Sequence, residues 1–258
     1  KEVYFYAFPS FKLLHKTDHG AQDAVAGGNN LYLLNAENIN GFKVTAIDIT
    51  TFREKILYDD SNGNAEIISL SPNGESLFLA SGFTSRILNV ATGTIALSKT
   101  QETGEIVIGY TPAGNIFGFN FSVKKKGDMV SVPELCDKST LSNILNFNFK
   151  VPGSARLQSL KNQVVYGGNN QMCLSGDGTI VTADYTTGKK TGEIKISSDE
   201  YIICMAASGN MIVAGDKYKG TLKQYDISTG KLVRIYGEDA IAPVVWESAT
   251  NATGIVLD

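Results

Sequence analysis

The sequence is poor in the residues that build common catalytic and metal sites. Of its 258 residues, only two are histidine, three are cysteine and one is tryptophan. The cysteines Cys136, Cys173 and Cys204 form no Cys-x-x-Cys pair, which excludes the usual zinc and haem attachment motifs. His15 and His19 accompany no nucleophile motif, and we interpret both as exposed loop residues. We therefore predict no catalytic residue, no bound metal and no cofactor.

Long apolar runs and a surplus of charge are also lacking. No apolar stretch approaches about 18 residues, so no membrane-spanning helix is predicted. The net charge of −3 argues against a dedicated nucleic-acid binder. Scattered cysteines are typical of thiols in a reducing compartment, so we expect a cytoplasmic or nuclear protein. The first residue is Lys1, which leaves a removed signal peptide open as an alternative.

A short turn phrase recurs along the chain, and Tyr225–Gly237 (YDISTGKLVRIYG) is its clearest copy. Its Asp or Asn position falls at Asp48, Asn89, Asp184 and Asp226. With degenerate copies placed at Ala7 and Pro133, the steps are 41, 41, 44, 51 and 42 residues. Such a fixed period is typical of a repeat architecture. We interpret the Asp and Asn side chains as structural caps that accept backbone N–H bonds, while the following Gly supplies a positive φ.

A second series of turns alternates with the first, as in SPNG from Ser71 and ASGN from Ala207. Each repeat then holds two hairpins, hence four short strands rich in Val, Ile, Leu, Tyr and Phe. Four strands per repeat resemble the blade of a WD-repeat β-propeller, whose Trp-Asp pair reads Tyr225–Asp226 here. The Gly-His pair of such repeats is absent, so their His–Asp hydrogen-bond network is not expected.

The resemblance implies an all-β fold, a single β-propeller domain over residues 1–258 with about six four-stranded blades; seven blades are the alternative. The predicted strands Val3–Phe8 and Lys12–Thr17 match the second half of a blade. Val244–Glu247 and Ile255–Asp258 match the first half. We expect these four strands to form one composite blade that closes the ring and leaves no exposed blade face.

The fourth repeat, counting the composite blade as the first, is longer than the others, and its excess lies in Cys136–Ser159. Since insertions in repeat proteins lie in loops that carry function, we predict that this segment and the preceding basic run bind a partner. A solvated loop is the alternative. The candidate partner-binding residues are Lys124, Lys125, Lys126, Leu141, Ile144, Phe147, Phe149 and Arg156.

The predicted function is a non-catalytic protein-interaction scaffold or a subunit of a multiprotein complex. It would bind other proteins through the propeller faces, the rim and the irregular segment, as a monomer within a hetero-complex. One alternative is a lactonase-like or hydrolase-like enzyme, or a ligand-binding protein, that uses the central channel. Another is a subunit of an RNA-processing complex, based on Lys124–Lys126 alone.

One polar loop resembles the start of a calcium-binding EF-hand loop. Asp60, Asn62 and Asn64 alternate as the first ligands of such a loop do. Ala65 and Ser71 then stand where the motif requires Gly and Glu. We therefore interpret this loop as a polar turn.

Overall fold

The computed structural model describes residues 2–7, 9–10, 12–36, 41–82, 84–100, 105–123, 129–152, 164–176, 178–196, 202–216 and 221–237. The regular structure of these residues consists of 23 β-strands. Within the same ranges, no helix is long and apolar enough to cross a membrane. The chain divides into two compact units, Lys1–Glu102 with Val107–Tyr110 and Thr103–Ile106 with Thr111–Asp258.

The first unit is built from antiparallel sheets whose strands follow one another in chain order. Its strands are β1 (Tyr4–Ala7), β2 (Lys12–Lys16), β3 (Asp23–Gly27), β4 (Asn30–Ala36), β5 (Phe42–Asp48), β6 (Glu54–Asp60), β7 (Ile67–Leu70), β8 (Ser76–Ala80), β9 (Thr84–Asn89) and β10 (Thr94–Thr100). The first two form a two-stranded sheet, whereas β3–β6 and β7–β10 form four-stranded meanders. Short apolar runs separated by Gly, Asn and Asp turns favour this topology.

The two four-stranded sheets of the first unit pack against each other. Their shared core consists of Tyr32, Leu34, Phe42, Val44, Ala46, Ala65, Ile68, Leu77, Leu79 and Leu88. The Asp23 carboxylate of β3, only 5% exposed, accepts a 2.8 Å hydrogen bond from the backbone N–H of Ile68 on β7. Because a buried carboxylate is costly without partners, this bond helps to fix the inner strands side by side.

The second unit repeats this plan, and its first strand is shared with the first unit, to which Val107–Tyr110 belong. Its sheets use β11 (Glu105–Tyr110), β12 (Ile116–Val123), β13 (Met129–Cys136), β14 (Asn143–Asn146), β15 (Val151–Pro152), β16 (Val164–Tyr166), β17 (Gln171–Gly176), β18 (Thr179–Asp184), β19 (Lys189–Lys195), β20 (Ile202–Ser208), β21 (Met211–Asp216), β22 (Leu222–Asp226) and β23 (Leu232–Tyr236). The meanders are β11–β14, β16–β19 and β20–β23, and β15 is a fifth strand of the first of them. A second apolar core joins β16–β19 to β20–β23 around Ile180, Ile194 and Ile212.

The outer strand of the sheet β11–β15 is interrupted opposite Pro133. β14 pairs with Glu134–Cys136, and β15 pairs with Val130 and Ser131. The Pro133 carbonyl accepts a 2.9 Å hydrogen bond from the N–H of Phe147 on this outer side, where proline has no N–H to donate. The ladder therefore breaks at Pro133, and part of the excess length of this repeat is a divided outer strand.

The structure agrees with the expected repeat of four antiparallel strands. Five sheets contain at least four strands, and β1 with β2 forms the predicted N-terminal hairpin. The segments Val244–Glu247 and Ile255–Asp258, which we expected to complete the sheet of this hairpin, lie outside the described residues. Closure and the number of blades therefore stay predictions.

Candidate interaction groove

The recurring turns share one geometry. In four repeats a side-chain oxygen of the first residue accepts backbone N–H bonds of 2.8–3.0 Å, and these residues are Asp48, Asn89, Asp184 and Asp226. Asp137 does the same for the N–H groups of Ser139 and Thr140 at 2.8 and 3.0 Å. The fourth turn is thus formed at Asp137, and Pro133, where we placed this copy, lies inside β13 instead.

The fifth residue of each turn adopts a left-handed backbone conformation. Its φ is +55° at Phe52, +67° at Gly93, +55° at Leu141, +68° at Gly188 and +66° at Gly230. Its N–H donates to the carbonyl of the first residue at 2.7–2.9 Å. In two repeats, at Phe52 and Leu141, a residue with a side chain adopts this conformation, which is unfavourable for any residue except glycine. Leu141 is only 1% exposed, and Phe52 stacks on His15 with a 4.8 Å centroid distance, so packing offsets the backbone strain.

Glycine at the fifth position also permits close packing between sheets in the first unit. A Cβ built on Gly93 would lie 2.4 Å from the carbonyl oxygen of Leu57 on β6. The turn between β9 and β10 therefore rests directly on the outer strand of the neighbouring sheet. This contact sets the spacing of the two sheets at the end that carries the turns.

A groove of about 530 Å³ lies beside this contact, and we call it the first-unit groove. Its inner part is apolar and is formed by Tyr32, Ala46, Leu57 and Val90, from both four-stranded sheets. Tyr32 is 3% exposed, and burial raises the pKa of its phenol, partly offset by a hydrogen bond from Asn30. The floor therefore stays neutral and accepts apolar side chains.

The polar residues that line the first-unit groove are Asn30, Asp48, Thr51, Arg53, Glu54 and Lys55, and the exposed Ala91 lies beside them. Hydrogen bonds from the backbone N–H groups of Thr51 and then Thr50 hold the pKa of Asp48 below its usual range. Its carboxylate is thus charged at neutral pH but already engaged by the turn. An apolar floor with a charged rim is an arrangement that binds peptide or protein side chains.

Four of the eight predicted partner-binding residues lie in the described part of the chain. Lys124, Lys125, Lys126 and Arg156 lie outside the described residues. Ile144 is 54% exposed and Phe149 is half-buried.

Two residues of this set are corrected by the structure. Leu141 and Phe147 are 1% and 4% exposed, so they belong to the core and not to a contact surface. Phe147 packs on Phe117 and Phe149 at ring-centroid distances of 5.7 Å. A Cβ on Gly188 would lie 3.2 Å from its ring, so it also contacts the next sheet. The apolar character of these two residues is explained by packing within the second unit.

The polar loop after β6 is held by the side chain of Arg86 on β9. Arg86 donates to the carbonyl of Asn64 at 3.0 Å, and its guanidinium lies 3.7 Å from the Asp60 carboxylate. Asp60 also accepts the N–H of Asn62 at 3.1 Å. Two oxygen-bearing residues of this loop, Asp60 and Asn64, therefore contact Arg86. In the described part of the chain, no group of three or more His, Cys, Asp or Glu is placed to hold a metal.

The histidines differ from the expectation of two exposed loop residues. His15 lies on β2, half-buried between Phe5 and Phe52, because its ring completes an aromatic cluster. His19 lies in the following loop with its Nε2 3.6 Å from the Glu54 carboxylate. His15 therefore has a packing role and His19 a polar contact, neither of which the sequence indicated.

No model of a known protein family matches this sequence, and no curated protein matches it. Solved structures do resemble the fold. One chain from the crystal structure of a nidogen/laminin complex matches with a TM-score of 0.55, over 81% of this chain and 75% of that chain. The two sequences are 12% identical, so the likeness concerns the fold alone. Together with the sheets of four antiparallel strands, it indicates a β-propeller fold.

Proposed function

We propose that this chain is a protein-binding β-propeller of the WD-repeat type, without catalytic activity, that serves as a scaffold or as a subunit of a multiprotein complex. The observation that carries the proposal is the first-unit groove, with its apolar floor, charged rim and fixed position between two packed sheets. The matching nidogen/laminin structure is itself a protein complex, which is compatible with this role. The buried Cys173 thiol, which forms no disulfide, supports a reducing compartment, the cytoplasm or the nucleus.

The proposal includes a ring of about six blades that is closed by residues 238–258. In each of the other five described sheets, two strands precede the last two of the four-stranded meander. β1 and β2, which correspond to such a last pair, form a sheet of only two described strands. A two-stranded hairpin is marginally stable in water, so partners on the free edge of β1 would stabilise it.

Hydrogen exchange tests the closure. In the full chain, the β1 amides that point away from β2 should exchange slowly, and deletion of residues 238–258 should make them exchange fast. Equal exchange of these amides in both proteins would contradict the composite blade.

Photo-crosslinking tests the interaction function. A benzoylphenylalanine placed at Thr51, on the groove rim, should capture a defined set of proteins in cells. The same residue at Thr187, three positions after its turn Asp just as Thr51 is, serves as the matched control. Ala91→Trp should fill the groove and abolish the Thr51 crosslinks, whereas Ser139→Trp, at the same turn position in the second unit, should not.

Each outcome bears on the proposal. Crosslinks that are equal at Thr51 and Thr187, or that persist with Ala91→Trp, would show that the groove is not the binding site. The absence of any crosslinked protein at Thr51 would overturn the scaffold role of the groove. Both tryptophan variants must first show the far-UV spectrum and melting curve of the parent protein.

A further inference from the structure

Two cations stand side by side on the rim of the first-unit groove. Arg53 and Lys55 both line it and are exposed. They are two residues apart in an extended segment, so their side chains point to the same face, with Cα atoms about 7 Å apart. Among the described residues, no carboxylate lies within 4 Å of either cationic group.

The anions near the groove are already engaged. Asp48 accepts two backbone N–H bonds within its own turn, and Arg53 contributes to the low pKa of this carboxyl only as a more distant charge. Glu54, between Arg53 and Lys55 in the chain, also lines the groove, but its carboxylate lies 3.6 Å from the Nε2 of His19. Of the charged residues that line the groove, Asp48 and Glu54 therefore have partners, whereas no described carboxylate contacts Arg53 or Lys55.

The apolar floor lies next to these cations. Lys55 pairs with Ala46 across the ladder of β5 and β6, and Ala46 pairs with Tyr32 across β4 and β5. Directly paired residues share one face of a sheet, so the cations and the floor belong to the same face. A ligand that spans both needs a carboxylate and an apolar side chain within a few ångströms of each other.

On the basis of the proposed interaction function, we infer that the first-unit groove binds an extended peptide segment that carries an Asp or Glu beside an apolar residue. The carboxylate binds Arg53 and Lys55 through charge-assisted hydrogen bonds. The apolar side chain binds the floor of Tyr32, Leu57 and Val90. Complementary charge at the rim gives specificity, while the apolar contact gives affinity.

A paired peptide array tests this inference on the full chain. Each short peptide containing Asp or Glu next to Leu, Ile or Phe is printed beside its Asn or Gln isostere, and the best binders are measured by fluorescence anisotropy. We expect the acidic members to bind at least about tenfold more tightly than their isosteres. Raising the salt from about 0.05 M to about 0.5 M should remove most of this preference, because exposed charges are screened.

Charge reversal provides the matched comparison. Arg53→Glu with Lys55→Glu should abolish the preference for acidic peptides. Lys189→Glu with Lys231→Glu makes the same change of charge in the second unit, at residues that, like Arg53, stand five positions after their turn Asp. This control protein should bind like the parent.

The outcomes separate this inference from the proposed function. If isosteres bind as well as acidic peptides and Ala91→Trp abolishes both, the groove binds peptides and the charge preference is wrong. If no peptide of either kind binds while the Thr51 crosslinks persist, the inference is wrong and the proposed function stands. If binding and crosslinks are both absent, both are wrong.

Discussion

Replacement of Gly93 by alanine probes the contact that holds the two sheets of the first unit at their turn end. A left-handed conformation costs a residue with a side chain about 1–2 kcal/mol. The smaller conformational freedom of the unfolded chain offsets about 0.4–1 kcal/mol of this cost. Gly28→Ala and Gly74→Ala carry only this effect, because their φ values are +57° and +73° and a new Cβ meets nothing within 4 Å. Each should lower the free energy of unfolding by about 1.6 kcal/mol or less.

Gly93→Ala adds a clash that the controls lack. Its Cβ would lie 2.4 Å from the Leu57 carbonyl oxygen, so the backbone must retreat by about 0.6 Å to reach the 3.0 Å limit of real contacts. Overpacking of this kind costs about 1–3 kcal/mol, which with the backbone effect gives a total of about 1–4.6 kcal/mol. Urea unfolding followed by circular dichroism measures all three variants. A loss for Gly93→Ala within about 0.5 kcal/mol of the two controls would refute the close packing of turn and strand.

Three further outcomes are expected. Phe147→Ala should lower the free energy of unfolding in urea by about 3–5 kcal/mol, because it opens a cavity in the aromatic core. Ile144→Ala, at an exposed position, should change it by no more than about 0.5 kcal/mol. The reverse order would show that Phe147 lies at the surface. The hydroxyl of Thr186 and the N–H groups of Thr187 and Thr186 lower the pKa of Asp184, so its stabilisation is present above the unfolded pKa and is lost as the pH falls through the folded value. Asp184→Asn should therefore flatten the fall of the urea midpoint between pH 5 and 3, and an unchanged slope would contradict the capping role. Burial raises the pKa of the Cys173 thiol to about 12. In a protein whose other two cysteines are replaced by alanine, an aromatic disulfide reagent should therefore label Cys173 only after unfolding. Rapid labelling of the folded protein at pH 8 would contradict the burial of this thiol.

The sheet architecture could be predicted because the turns carry local chemistry. An Asp or Asn cap and a Gly at the left-handed position are visible in the sequence, and three of the five turns contain both. The turn at Asp137 was missed because Leu141 fills the left-handed position, so the usual Gly signal is absent. The degenerate copy of the repeat was then placed at Pro133. In the structure Pro133 lies inside β13, at the point where the outer strand beside it is interrupted.

The groove could not be predicted in the same way. Its floor joins residues more than 50 positions apart, from Tyr32 to Val90, and no local pattern connects them. Leu141 and Phe147 were assigned to a surface because they are apolar residues in an irregular segment. The sequence of such a segment does not distinguish a residue that contacts a partner from one that packs in the core of its own chain. Only the pairing of β14 and β15 with β13 shows that this segment folds back onto its sheet.

The constant length of the turns has an evolutionary consequence. The cap and the left-handed residue are always four positions apart, whereas successive caps are separated by 41 to 48 residues. The differences in length between the described repeats therefore lie outside this short stretch. The turns are natural crossover points for recombination, because two repeats that are exchanged there meet with the same backbone path, whatever the length of the strands and loops that follow.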